Sequence, residues 1–324
     1  MFRSAPILLA AGLGALAFQT APASALNDRS FVSGLGDDGN ACTRIAPCKT
    51  FQTAHDKTSA GGVINCADPA EYGPVFIKKS ITIDCAAARG SITVPAFGNV
   101  PELGSGYGII PQVGPAGIVT IVGVDIRGRI GDKHTFGILA NFQVNELQLR
   151  NVSVSGVDYG IWYQPTNTGA PQLLVEDSVV ANSARTGIIV QVSEDGFEQA
   201  LNVHFNRVRV ENSGLAIWTN SESSIGVNIN MKDCMISGNS SGILAHGVNA
   251  STNISISGTQ FSGNFGPAIA TEGNRALVLV GASMITANIA GMSTANGGQI
   301  LSFGNNQVNS NGGGETFTRT VGLK

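Results

Sequence analysis

Acid–base chemistry needs a proton donor and a proton acceptor held close together. The densest set of such groups in this chain is Asp125, Arg127 and Arg129, followed by Asp132-Lys133-His134. Alternation along Val124-Asp-Ile-Arg sends Asp125 and Arg127 to the face opposite Val124 and Ile126. Arg150 and Glu176 fall at outward positions of the segments that follow. One guanidinium there could hold a carboxylate of a ligand while a second group takes a proton. The competing reading is a solvated strand edge with surface ion pairs, each contributing about 0–1 kcal/mol. His204 alternates to a strand surface and reads as a surface residue. Asp37, Asp38 and Asn40 stand in a Gly-rich loop and offer oxygen ligands of the kind Ca²⁺ takes. The same spelling serves an ordinary turn, so no cofactor is required and Ca²⁺ is the one to test.

A second chemistry is stacking on sugar rings, which needs exposed aromatic faces. The residue after each Gly-Ile-like pair gives Leu139, Trp162, Ile189, Trp218, Leu244 and Ala270, an outward apolar stripe that holds both tryptophans. Trp162 and Trp218 are therefore the ligand-binding candidates. The alternative is that segments 164–172, 193–200 and 220–226 fold back over the stripe and make it a secondary core.

These residues must be positioned by whatever elements carry them, and from about residue 147 the chain repeats. Each unit is a turn residue, a short apolar-alternating strand, an Asn, a few small residues and a Gly-Ile-like pair. The marker residues Asn182, Asn212, Asn239, Asn264 and Asn288 lie 30, 27, 25 and 24 residues apart. That period, with strands of a few residues, spells a stacked solenoid. Leu147-Gln-Leu-Arg, Val227-Asn-Ile-Asn-Met and Leu277-Val-Leu-Val alternate with period two, which excludes helical repeats. The expectation is an all-β parallel β-helix with two or three short strands per coil. Each marker Asn tolerates a left-handed corner, and stacked at one corner its amide can bond the next.

The first 25 residues read as a signal peptide: Arg3, an apolar run from Ala5 to Phe18, and Ala23-Ser24-Ala25 as a cleavage site. The run is short for a span of about 20 residues, so the mature chain is expected outside the cytoplasm: secreted, periplasmic or at the cell surface. An uncleaved N-terminal anchor is the alternative; no other segment reads as membrane-spanning. Residues 26–95 form an N-terminal cap with the first coils, 96–314 the stack, and 315–324 a tail. A short amphipathic helix, about residues 48–59, is expected to cover the open end. Charged residues are 13 %, Gly is 42 of 324, and the net charge of −3 has no basic run, which argues against nucleic acid. Four of the five Cys are N-terminal: Cys42, Cys48, Cys66 and Cys85. In a secreted chain they suggest two disulfides. Local closure favours Cys42–Cys48 and Cys66–Cys85 among three pairings, with a metal site as the competing reading. Cys234 sits where other coils place Ser178, Thr259 or Ser283 and is expected to point inward as a small hydrophobe.

The opening Phe31-Val-Ser…Asp37…Pro47-Cys48-Lys49-Thr50-Phe51, the strand Lys79-Ser-Ile-Thr-Ile, the Asn-turn coils and the ending Gly298-Gln-Ile-Leu-Ser-Phe-Gly-Asn-Asn306 carry a resemblance. The chain resembles the right-handed parallel β-helix proteins of the pectin-lyase-like superfamily, and within it bacterial secreted β-helix repeat proteins. The resemblance implies a right-handed coil. It also implies a choice between two chemistries on acidic polysaccharides: lyases with an Arg or Lys base and often Ca²⁺, and hydrolases with paired carboxylates. The hydrolase motifs Asn-Thr-Asp, Asp-Asp, Gly-His-Gly and Arg-Ile-Lys are not in place. The Asp-Asp here is the loop pair Asp37-Asp38, and Ala245-His246-Gly247 echoes the His motif without carboxylates beside it. The reading that follows is a non-catalytic secreted β-helix presenting a sheet face to a glycan or a surface partner. A polysaccharide lyase using Asp125, Arg127, Arg129, Arg150 and Glu176, and a structural envelope protein, are the alternatives. Nothing in the sequence fixes an oligomeric state.

Overall fold

The computed structural model describes residues 26–96, 106–166, 169–192, 199–221 and 224–322; residues 1–25, expected to be a signal peptide, lie outside them. Val, Ile and Thr alternate with polar residues in runs too short for a free-standing sheet, so each run finds its hydrogen bonds in the coil above and below. The result is a right-handed parallel β-helix of three sheets, with twelve, nine and ten strands. Each regular coil contributes one strand to each sheet, in the order twelve, ten, nine. Val144–Arg150, Ser153–Ser155 and Tyr159–Tyr163 make one such coil.

Inward residues stack on their counterparts. Leu147, Leu173, Val203, Ile229, Ile254, Val278 and Ile300 are register partners in one column. All are buried, so the core is a continuous apolar rod rather than a sphere.

The turns are two columns of left-handed backbone. Between the twelve- and ten-stranded sheets, positive φ recurs at Gly123, Asn151, Asp177, Arg207, Asp233, Gly258 and Ala282. Between the ten- and nine-stranded sheets it recurs at Gly156, Asn182, Asn212, Gly238, Gly263, Ala287 and Ser310. This corrects the expected single Asn corner. Asn182 and Asn212 occupy the left-handed column with exposed side chains, whereas Asn239, Asn264 and Asn288 stand one residue later and are buried. Only the later column forms the amide ladder. Asn239 Nδ2 donates to Asn264 Oδ1 (3.1 Å), Asn264 Nδ2 to Asn288 Oδ1 (2.8 Å), and Asn288 Nδ2 to Asn311 Oδ1 (2.9 Å). Ser183 and Ser213 hold the ladder position in the earlier coils: Ser183 N donates to Ser213 Oγ, and Ser213 N to Asn239 Oδ1. Asn satisfies both adjacent positions, one by tolerating φ > 0 and the other by its amide, which is why one letter marked two columns.

The helix α1, Phe51–Lys57, is shorter than expected. Thr50 caps it by accepting from Thr53 N, and Phe51, Ala54 and His55 are buried. It sits at the N-terminal end of the stack against the strands Asn27–Val32, Thr58–Cys66 and Val75–Ile77. The disulfides pair Cys42 with Cys48 and Cys66 with Cys85, tying the same end.

Candidate functional site

Outward residues of the nine-stranded sheet line up as the alternation predicted. Leu139, Trp162, Ile189, Trp218, Leu244 and Ala270 are successive register partners. Leu139 and Ile189 are buried, and Trp162, Trp218, Leu244 and Ala270 are half-buried. The molecule's own aromatics close the early part of the stripe. Tyr107, Ile110 and Leu139 form a second apolar cluster outside the main core, with Phe76, Phe136, Phe142 and Trp162 against it. Phe136 stacks on Tyr159 at 5.2 Å, the Trp162 ring stands 5.2 Å from Tyr159, and the Arg185 guanidinium lies 5.9 Å from the Tyr159 centroid. Residues 167–168, 193–198 and 222–223 lie outside the described residues, and with them much of the expected fold-back.

Two residues beyond each stripe position runs a polar column that the sequence reading missed. Gln191, Asn220, His246 and Glu272 are register partners. Gln164, two residues after Trp162, accepts from the Trp162 indole N–H at 3.0 Å. His246 Nδ1 lies 2.7 Å from Asn220 Oδ1; donating there, the imidazole keeps Nε2 as an acceptor. Glu272 Oε1 accepts from Asn296 Nδ2 at 3.3 Å. Gln191 and Asn220 are buried, whereas Gln164, His246 and Glu272 are half-buried, so beside the apolar strip with its tryptophans the accessible polar groups are one amide, an imidazole and a carboxylate, on coils about 4.8 Å apart. The signal was present in the alternation and lost among the Asn and Ser residues common throughout the chain.

The charged candidates lie elsewhere, at and beside the corner between the twelve- and ten-stranded sheets, and are bound to one another. Asp125 accepts from Arg89 through both carboxylate oxygens, and Arg127 lies 3.4 Å from it. Arg89 also donates to Asn151 Oδ1 at 2.9 Å, and this bonding to Asp125 raises its pKa. Arg150 pairs with Glu176 at 3.2 Å on the neighbouring strand. Arg207–Asp177 and Arg209–Glu211 continue the pattern; the hydrogen bond from Arg207 holds the Asp177 carboxyl below its usual range. Arg129 is exposed on the loop that follows Arg127. Asp125 and Arg127 belong to the ten-stranded sheet, whereas Arg150 and Glu176 end strands of the twelve-stranded one. Each Arg that would bind a uronate carboxylate, Arg129 apart, already holds a protein carboxylate.

The N-terminal acidic loop is used internally. Asp38 Oδ1 accepts from Lys49 N and Thr50 N, both at 2.9 Å, and both its oxygens accept from Thr50 Oγ1. Partial burial raises the Asp38 pKa, and these donors together outweigh it and lower it. Asp37 Oδ1 accepts from Gly39 N, and Asn40 Nδ2 donates to Pro47 O. Among the described residues, no group of three or more His, Cys, Asp or Glu is gathered for a metal ion. His204 is exposed. Cys234 is free and buried, with burial pushing its thiol pKa up. Among the described residues no helix is long and apolar enough to cross a membrane. An open groove of about 390 Å³ follows the second corner from Ile130 to Phe265, floored by small residues such as Gly156, Ser183 and Ser213.

No protein-family model matches the chain, and no curated protein matches it. Among solved structures it is similar to the pectate lyase Pel9A, at 14 % identity and a TM-score of 0.59 over 91 % of this chain and 78 % of that one. A weaker similarity, at 11 % identity and a TM-score of 0.45, is to the A-module of the Azotobacter vinelandii mannuronan C-5 epimerase AlgE4, over 91 % of this chain and 89 % of that one. At these identities the likeness is one of fold, and it agrees with the parallel β-helix described above.

Proposed function

We propose that this chain binds a glycan, without cleaving it, along the outer face of its nine-stranded sheet. The observation that carries the reading is the pairing, coil by coil, of the half-buried Trp162 and Trp218 stripe with the polar column ending in His246 and Glu272. A sugar ring has apolar faces rimmed by hydroxyls. It is matched by an aromatic plane flanked by planar hydrogen-bonding groups. The pairing of Arg127 with Asp125 and of Arg150 with Glu176, Arg129 apart, supports the non-catalytic half of the proposal, since each of those guanidiniums already faces a protein carboxylate.

The test is retention on immobilised glycans. Trp162→Ala combined with Trp218→Ala is expected to abolish retention, and unchanged retention rejects the face. The second reading, cleavage of an acidic polysaccharide, draws on the pectate lyase that shares the fold. It is checked by incubating the protein with acidic and neutral polysaccharides, with and without Ca²⁺, and following unsaturated uronates and reducing ends. Unsaturated product that depends on Arg127 or Arg150 would replace the binding reading.

A further inference from the structure

Resting on the glycan reading, we infer that the ligand of this face carries amines: a glycan with unsubstituted hexosamine residues, whose ammonium groups are taken at Glu272. The polar column of Gln164, Gln191, Asn220, His246 and Glu272 holds one carboxylate and neither Lys nor Arg. The contrast with the first corner is direct. There Asp125, Glu176, Asp177 and Glu211 each have an Arg partner, whereas no ion pair among the described residues includes Glu272. The nearby Arg275 donates to Asn249 O at 3.0 Å. Glu272 is half-buried and its hydrogen-bond donor is the neutral amide of Asn296, so the carboxylate keeps acceptor capacity for a cation.

His246 reinforces the choice. It stands on the preceding coil with Nδ1 2.7 Å from Asn220 Oδ1, and in the Nδ1–H tautomer its Nε2 is an acceptor. An ammonium offers three donors and no acceptor, which suits a carboxylate on one coil and an imidazole acceptor on the preceding one. A uronate in the same place would set its carboxylate against Glu272 with no guanidinium in the column to offset the repulsion. The inferred preference is therefore opposite in charge to that of a pectate-directed site on the same fold.

The experiment is titration calorimetry with soluble hexamers of glucosamine, N-acetylglucosamine and galacturonate, at a pH where the free amine is protonated. It compares the native protein, Glu272→Gln and the Trp162→Ala/Trp218→Ala variant. The expected result is tighter binding of the glucosamine hexamer than of its acetylated form by about tenfold, the size of one charge-assisted hydrogen bond. Glu272→Gln should bring the two level while leaving the acetylated hexamer's affinity in place. Equal affinities, or tighter binding of galacturonate, overturn the amine preference; if the Trp variant loses that binding, the glycan reading survives. An amine preference that persists in Glu272→Gln overturns the assignment to this residue. Absence of binding to all three hexamers overturns this inference together with the glycan reading beneath it.

Discussion

His55 shows how much one buried ring can decide. It is 2 % exposed, its Nδ1 faces Asp56 at 2.8 Å, and its Nε2 accepts from Lys78 N at 3.1 Å. Burial, with Lys79 and Lys78 nearby, lowers its pKa against the opposing pull of Asp56. A base with a depressed folded pKa is neutral in the native state, while the unfolded chain takes up the proton first as pH falls. The His55 contribution is therefore complete above the unfolded value of 6.5 and is lost as pH drops from there through the lower folded pKa. The unfolding midpoint of the N-terminal region should fall with acidification in that window, and His55→Gln should flatten the dependence. Urea titrations across the window measure both. Cys234 makes a second residue-scale prediction. With its sulfur 3.2 Å from Lys232 O and 3.7 Å from Phe205 O, it should resist thiol reagents in the folded protein and react fully in denaturant. Rapid labelling of the native protein would contradict the inward placement.

At the scale of elements, the amide ladder is the most sensitive part. Asn264 accepts from Asn239 N and Nδ2 and donates to Ile236 O and Asn288 Oδ1, while being 1 % exposed. Asn264→Ala leaves buried partners unpaired, at a cost of about 1–3 kcal/mol. Asn264→Ser, the residue this column carries at Ser183 and Ser213, should cost less. Unfolding midpoints that reverse this order would reject the ladder as the source of stability. The same elements show what was legible beforehand. Period-two alternation located the strands and the Trp162–Trp218 column, because side-chain direction follows from strand geometry alone. The two corner columns were merged, since whether an Asn sits at φ > 0 or one step later depends on which neighbour it bonds, and that neighbour is a whole coil away. Arg89 was overlooked for the same reason: it lies 36 positions before Asp125, and only stacking brings them together.

For the whole molecule, reinforcement is uneven. Both disulfides and α1 lie at the N-terminal end, and the later coils rely on core stacking and ladders alone. Solenoid stability is a sum over neighbours rather than one global event. Reduction should thus lower protection in residues 26–95 and leave the coils between 227 and 302 nearly unchanged. Hydrogen exchange read by peptide mass tests this, and uniform loss along the chain would show the stack unfolding as one unit.

The tightening of the repeat has a further meaning. The ladder partners Asn239 and Asn264 are 25 positions apart and Asn264 and Asn288 are 24, against 30 for Ser183 and Ser213. The C-terminal coils are thus close to interchangeable. Duplicating one of them would add about 4.8 Å to every column without disturbing the register of any other. In evolution, such a molecule can lengthen all three of its sheet faces at once simply by copying a rung.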